Sequence, residues 1–117
     1  MTLEDYYLTL ISMPELKEKP ILKDFQNYVA ELEKERGFAD QTVLQRSLLL
    51  GEEVGELFKA IRKSEKMGVD QKSIIGSVDE ELADVLIFVC SIANRFGIDL
   101  EKAFREKEEI NKKRMWK

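Results

Sequence analysis

The sequence predicts an all-α protein, a bundle of four to five helices assembled as an oligomer. Apolar residues recur at three- and four-residue spacing through most of the chain, the period of amphipathic helices. Only two prolines and six glycines occur in 117 residues, so few positions interrupt a helix. Between Val85 and Ala93 the chain is apolar almost all the way round a helical wheel (Val85, Leu86, Ile87, Phe88, Val89, Cys90, Ile92, Ala93). A helix without a polar face is buried on several sides, and in so short a chain the expected second cover is another copy.

Taken in order, Leu3 to Ser12 reads as a short helix, ended by a connector that Pro14 and Pro20 bracket. From Ile21 to Arg36, Leu22, Phe25, Val29 and Leu32 repeat at helical spacing, and Gly37 supplies a C-terminal stop. Phe38 then sits in a short link, with Asp40 placed to cap a helix over 41–66, roughly 40 Å long. Gly51 and Gly55 lie inside that helix, which calls for either a close neighbouring backbone or a kink. Residues 67–76 form a connecting loop. Ser77 followed by Glu80 has the spacing of a capping box and starts the next helix. Gly97 closes that helix, and Asp99 caps a last one over 100–113. Its stripe runs Leu100, Ala103, Phe104 and then Lys107, Asn111 and Arg114, so an inward face changes from apolar to cationic and polar.

The bulk properties narrow the function. With 44% hydrophobic and 36% charged residues the chain suits one soluble domain, 1–117, rather than a disordered tail. A net charge of -4 speaks against a general nucleic-acid partner. No apolar run is long enough to span a bilayer, and the basic-then-apolar start of a signal peptide is missing, so no membrane partner is expected. A single cysteine, Cys90, makes no internal disulfide, and the expected setting is cytoplasmic. There is no histidine, which removes Ser-His-Asp triads and zinc sites of the usual kind.

Chemistry concentrates between Leu48 and Asp84. At about 100° per residue, Glu53 and Glu56 share one helix face with Leu49, Leu57 and Ala60. Glu81 and Asp84 repeat the arrangement beside Val85 and Phe88. Carboxylates set into apolar faces must be neutralised or paired, and a hard divalent cation does this for four at once. Two such pairs on adjacent antiparallel helices meet as a cage for Mg²⁺, with open positions for phosphate oxygens. Lys107 and Arg114 would then neutralise phosphate charge, with Asn111 as a neutral donor. The plain alternative is that these acids are solvated helix surface.

The pattern Glu53-Val54-Gly55-Glu56, a 24-residue spacer, then Glu81-Leu82-Ala83-Asp84 resembles the ExxE…ExxD signature of the MazG-like all-α nucleoside triphosphate pyrophosphohydrolases. The flanking Glu-Glu-Val-Gly-Glu-Leu and Asp-Glu-Glu-Leu-Ala-Asp-Val-Leu, and the closing Lys107-Glu-Glu-Ile-Asn111-Lys-Lys-Arg114, are similar to the family's own wording. The resemblance covers about 20–115, leaving 1–19 as an N-terminal extension. It implies Mg²⁺-dependent cleavage of nucleoside triphosphates to the monophosphate and pyrophosphate, with Mn²⁺ as a possible substitute, in a homodimer or homotetramer. It implies Glu53, Glu56, Glu81 and Asp84 as metal ligands, and Glu52 and Glu80 as supporting acids that help position water. It implies Lys107 and Arg114 on the phosphates. Phe38 is similar in place to a base-stacking aromatic of the dCTP-pyrophosphatase branch. Phe88 stands where that branch carries a tyrosine, and that branch's histidine has no counterpart here, so the base preference is left open. Two other readings of the same residues are a non-catalytic helical module that binds nucleotide or metal, and a purely structural bundle.

Overall fold

The computed structural model describes residues 1–5 and 13–114. Within them lie four helices: α1 (Leu22–Glu35), α2 (Val43–Ser64), α3 (Val78–Arg95) and α4 (Leu100–Lys112). Residues 3–5 are also helical. There Thr2 and Asp5 bond reciprocally, the Asp5 amide donating to Thr2 Oγ1 at 3.1 Å and the Thr2 amide to Asp5 Oδ2 at 3.0 Å. The remainder of the helix expected over 3–12 lies outside the described residues, as does Trp116. The described secondary structure is all helical, as the apolar periodicity predicts.

The α2–α3 hairpin is the body of the fold, the two helices running antiparallel along most of their length. Helix α1 lies across α3, and α4 packs on α1. Val29, Leu32 and Cys90 form the core, with Phe25, Tyr28, Ile87 and Leu100 packed around them. Burial raises the pKa of the Cys90 thiol, as suits a small core residue. Gln26, buried on α1, ties three helices together. Its Nε2 donates to Asn94 Oδ1 at 3.1 Å and to the Ile98 carbonyl at 2.8 Å, and its Oε1 accepts from the Leu100 amide at 3.0 Å. The start of α4 is therefore fixed by a polar clasp, where a buried amide must find partners.

Several element boundaries differ from expectation for identifiable reasons. Asp40 does not cap α2. Thr42 does, its Oγ1 accepting from the Gln45 amide at 3.1 Å while Gln45 Oε1 accepts from the Thr42 amide at 2.8 Å. Ser77 holds the cap position of α3 with extended backbone but makes no side-chain cap bond. Its hydroxyl serves Asp79 instead, and that hydrogen bond lowers the Asp79 pKa. Gly37 and Gly97 do close α1 and α3 with φ of 77° and 65°, and Asp99 Oδ1 caps α4 through the Lys102 amide at 3.0 Å. Gly51 and Gly55 have no neighbour among the described residues within 4 Å of an added Cβ, so no described backbone approaches them. The inward cationic stripe is corrected as well. No residue of α4 is buried, Phe104 is 68% exposed, Lys107 and Arg114 are exposed and Asn111 is half-buried.

Candidate acidic metal centre

The α2–α3 seam sets the acids face to face. Carboxylate oxygens of Glu53, Glu81 and Asp84 lie within 4.8 Å of one another. Glu53 comes from the middle of α2, whereas Glu81 and Asp84 sit one turn apart at the start of α3, so two helices contribute to one small volume. Glu81 is buried, and Glu53 and Asp84 are half-buried. Burial and the nearby negative charges of Asp84, Glu81, Glu56 and Glu52 raise the Glu53 pKa. Every charge that acts on it in this way is a carboxylate. Such a group is most comfortable protonated or beside a cation.

Glu56 stands at the edge of this cluster. Its carboxylate pairs with Lys59 at 3.8 Å and is 41% exposed, so it is available to the centre without being one of the three that converge. Glu52 and Glu80 are exposed beside the acids they precede. Three all-oxygen, anionic donors are the chemistry of a hard cation such as Mg²⁺ or Ca²⁺, and they suit a softer thiolate- or imidazole-seeking metal poorly. The donor set therefore fits the group that the sequence pattern implies.

Farther along the same seam the structure assembles a second feature that sequence reasoning missed. Arg46 lies seven residues before Glu53, two turns along the same face of α2, or about 10 Å. Its guanidinium stacks over the Phe88 ring at 4.6 Å from the centroid and stands 5.9 Å from that of Phe38. Arg46 Nε donates to Ser91 Oγ at 2.9 Å and Nη1 to Gln41 Oε1 at 2.8 Å. Arg95 forms a 2.6 Å ion pair with Glu33 and donates to the Gln41 and Phe38 carbonyls at 2.8 and 3.1 Å. Burial alone would raise the Glu33 pKa. Hydrogen bonds from Arg95 and Ser91 and the charges of Arg95 and Arg46 outweigh that, and hold its carboxyl below the usual range. The second Glu33 oxygen is buried without a hydrogen-bond partner, 3.9 Å from Arg46. The net result is that Phe38 and Phe88, far apart in sequence, are held against one cation at the α1–α2 turn.

Lys107, Asn111 and Arg114 are not gathered at the acids within one chain. Lys107 and Asn111 lie on α4, which packs on α1, and Arg114 follows its end; the Asn111 amide donates to Glu108 at 3.0 Å. A hollow of about 710 Å³ between Leu22 and α4 is lined by Phe104, Glu101 and other α4 residues and includes none of the seam acids.

Comparison with known proteins follows the same residues. The MazG nucleotide pyrophosphohydrolase domain matches residues 41–115, which contain both acidic pairs and all of α2, α3 and α4. Among solved structures, the crystal structure of C-terminally tagged iMazG from Vibrio DAT 722 is 38% identical, with a TM-score of 0.62, covering 80% of this chain and 99% of that one. Its N-terminally tagged form gives the same identity and TM-score and is covered over 95% of its length. No curated protein matches.

Proposed function

The chain belongs to the MazG nucleotide pyrophosphohydrolase family, and we propose that it hydrolyses nucleoside triphosphates between the α and β phosphates, releasing the monophosphate and pyrophosphate. Membership already makes it a hydrolase of nucleotide phosphoanhydrides. The observation that carries the finer reading is the convergence of Glu53, Glu81 and Asp84 within 4.8 Å from two helices.

In this reading Glu53, Glu81 and Asp84 hold Mg²⁺, with Glu56 joining from the edge of the cluster, and Mn²⁺ is an acceptable substitute. The ion supplies neutralisation of the phosphate charge and orientation of the substrate oxygens. Glu52 and Glu80, exposed beside the ligands, help position the attacking water, and one of the two takes up its proton. Phe38 and Phe88, joined by Arg46, offer a flat apolar wall at the nucleobase end of the seam. Lys107, Asn111 and Arg114 contact the phosphates. Because α4, which carries Lys107 and Asn111 and leads to Arg114, packs on α1, we assign that contact to the site of a second copy.

A homodimer or homotetramer is supported by how little one chain buries. Only Val29, Leu32, Ala60, Cys90 and Ala93 are buried apolar residues among those described. The radius of gyration is 17.8 Å, against about 13 Å for a compact chain of this length. Leu44, Leu48 and Phe58 are 69%, 65% and 60% exposed and form one stripe with Gly51 and Gly55, on the side of α2 opposite Glu53. Leu82 and Leu86 of α3 are exposed as well, at 52% and 40%. One domain spanning 1–117, with 20–115 as its catalytic body, acts in the cytoplasm without a nucleic-acid partner. No helix among the described residues is long and apolar enough to cross a membrane.

The decisive variants are Glu53→Gln and Asp84→Asn, which keep shape and remove a ligand charge. Each is expected to lower Mg²⁺-dependent hydrolysis at least about 100-fold. Wild-type turnover by both would overturn the assignment.

A further inference from the structure

The six glycines of this chain fall into three groups. Gly37 and Gly97 occupy positive φ, where a side chain is strained. Gly51, Gly55 and Gly68 have open space where a Cβ would stand. Gly76 alone has ordinary backbone angles and no room. An added Cβ would overlap Glu81 Oε1 and come within 3.3 Å of Glu81 Cδ and 3.5 Å of Glu80 Oε2. Neither turn geometry nor an adjoining backbone therefore asks for glycine there. A carboxylate does.

Gly76 ends the α2–α3 connector, and its position is tied to the helix that follows. The Glu81 amide donates to the Ser77 carbonyl at 3.1 Å, the first backbone bond of α3. On its other side, Ile75, Gly76 and Val78 line a hollow with the buried Ala60 of α2. The connector thus folds back over the first turn of α3 and leaves Glu81 9% exposed. A methyl group at position 76 is held in place by this short link, so the end of the flexible Glu81 side chain is what must give way.

We propose that Gly76 is a positioning residue for the acidic centre, its absent side chain leaving the space from which the Glu81 carboxylate reaches Glu53 and Asp84. The proposal rests on those three acids being metal ligands. It adds that the connector, far from being a passive link, sets the rotamer of one ligand. Groups that orient metal ligands typically change affinity by about 10- to 100-fold when altered.

The test uses the full chain and Mg²⁺ or Mn²⁺ alone, with thermal unfolding as the readout besides turnover. Gly76→Ala is expected to melt within about 2 °C of wild type without metal, because the clash is relieved by a side-chain rotation. The metal concentration that half-saturates the stabilisation should rise about 10- to 100-fold. Gly68→Ala, in the same connector, should leave both quantities unchanged. In a Glu81→Ala background, adding Gly76→Ala should change neither. Metal stabilisation of Gly76→Ala equal to wild type overturns the proposal. So does a loss of metal-free melting temperature that is the same with and without Glu81. If wild type itself gains no stability from either metal, the metal reading fails, and the positioning role falls with it.

Discussion

A carboxylate buried beside two guanidiniums and a carboxylate buried among its own kind behave oppositely, and this chain contains both. The Glu33 pKa is lowered, so the native state binds fewer protons than the unfolded chain as pH falls through the carboxylate range. Its stabilising effect is complete above the ordinary glutamate pKa of about 4.5 and is lost as pH falls through the lowered native value. Glu33→Gln is accordingly expected to cost about 3–5 kcal/mol at pH 7, since the buried Arg46 and the half-buried Arg95 are left without their counter-charge. The difference from wild type should shrink at pH values below the native Glu33 pKa, as read by urea unfolding at each pH. A cost unchanged with pH would contradict the ion-pair account. Single residues were unevenly legible in the sequence. The four acids announced themselves because their wheel positions were apolar. Glu33, Arg46 and Arg95 did not, because their meeting depends on three helices packing, although Arg46 and Arg95 each stand as the lone charge in an otherwise uncharged run. Gly76 was invisible for a related reason: its need is created by a side chain five residues on.

At the scale of elements, helix existence followed directly from periodicity, while the starts depended on which of several capping residues the backbone selects. Asp40 and Thr42 both precede α2, but only Thr42 has a glutamine three residues later to complete the reciprocal bond. Thr42→Ala should cost about 1 kcal/mol, and Asp40→Ala less than about 0.5 kcal/mol, by the shift in urea midpoint at constant slope. Equal effects would contradict the cap assignment. Ser77 and Glu80 carried the spacing of a capping box, yet the hydroxyl is engaged by Asp79, a competition that spacing does not reveal. The last helix shows the other limit. A stripe leading from Leu100 to Arg114 reads as inward only if something packs along its whole length. Among the described residues α4 packs mainly on α1, and only its first residue, Leu100, reaches the core.

Taken as a single chain, the molecule leaves apolar surface that the proposed assembly would cover. An α2–α3 hairpin with exposed leucines on the face opposite the acids, and a small buried core, leaves much apolar surface uncovered. The near-continuous apolarity of 85–93 predicts a second cover, and the chain alone leaves Leu86 40% exposed. Leu48→Glu should convert the assembly to monomer in light scattering coupled to size exclusion, and wild-type melting temperature should rise with protein concentration. A wild type that is monomeric at all concentrations would contradict it. The central claim, however, concerns the reaction. Its most direct test is pyrophosphate release from a panel of canonical and modified nucleoside triphosphates, with Mg²⁺ and with chelator, scored for the monophosphate as co-product. The account predicts Mg²⁺-dependent release of pyrophosphate and monophosphate in equal amounts from at least one nucleotide, abolished by chelator and by Glu53→Gln. No release from any nucleotide, with Mg²⁺ still raising the melting temperature, would contradict it and make the chain a binder of metal that does not turn nucleotide over.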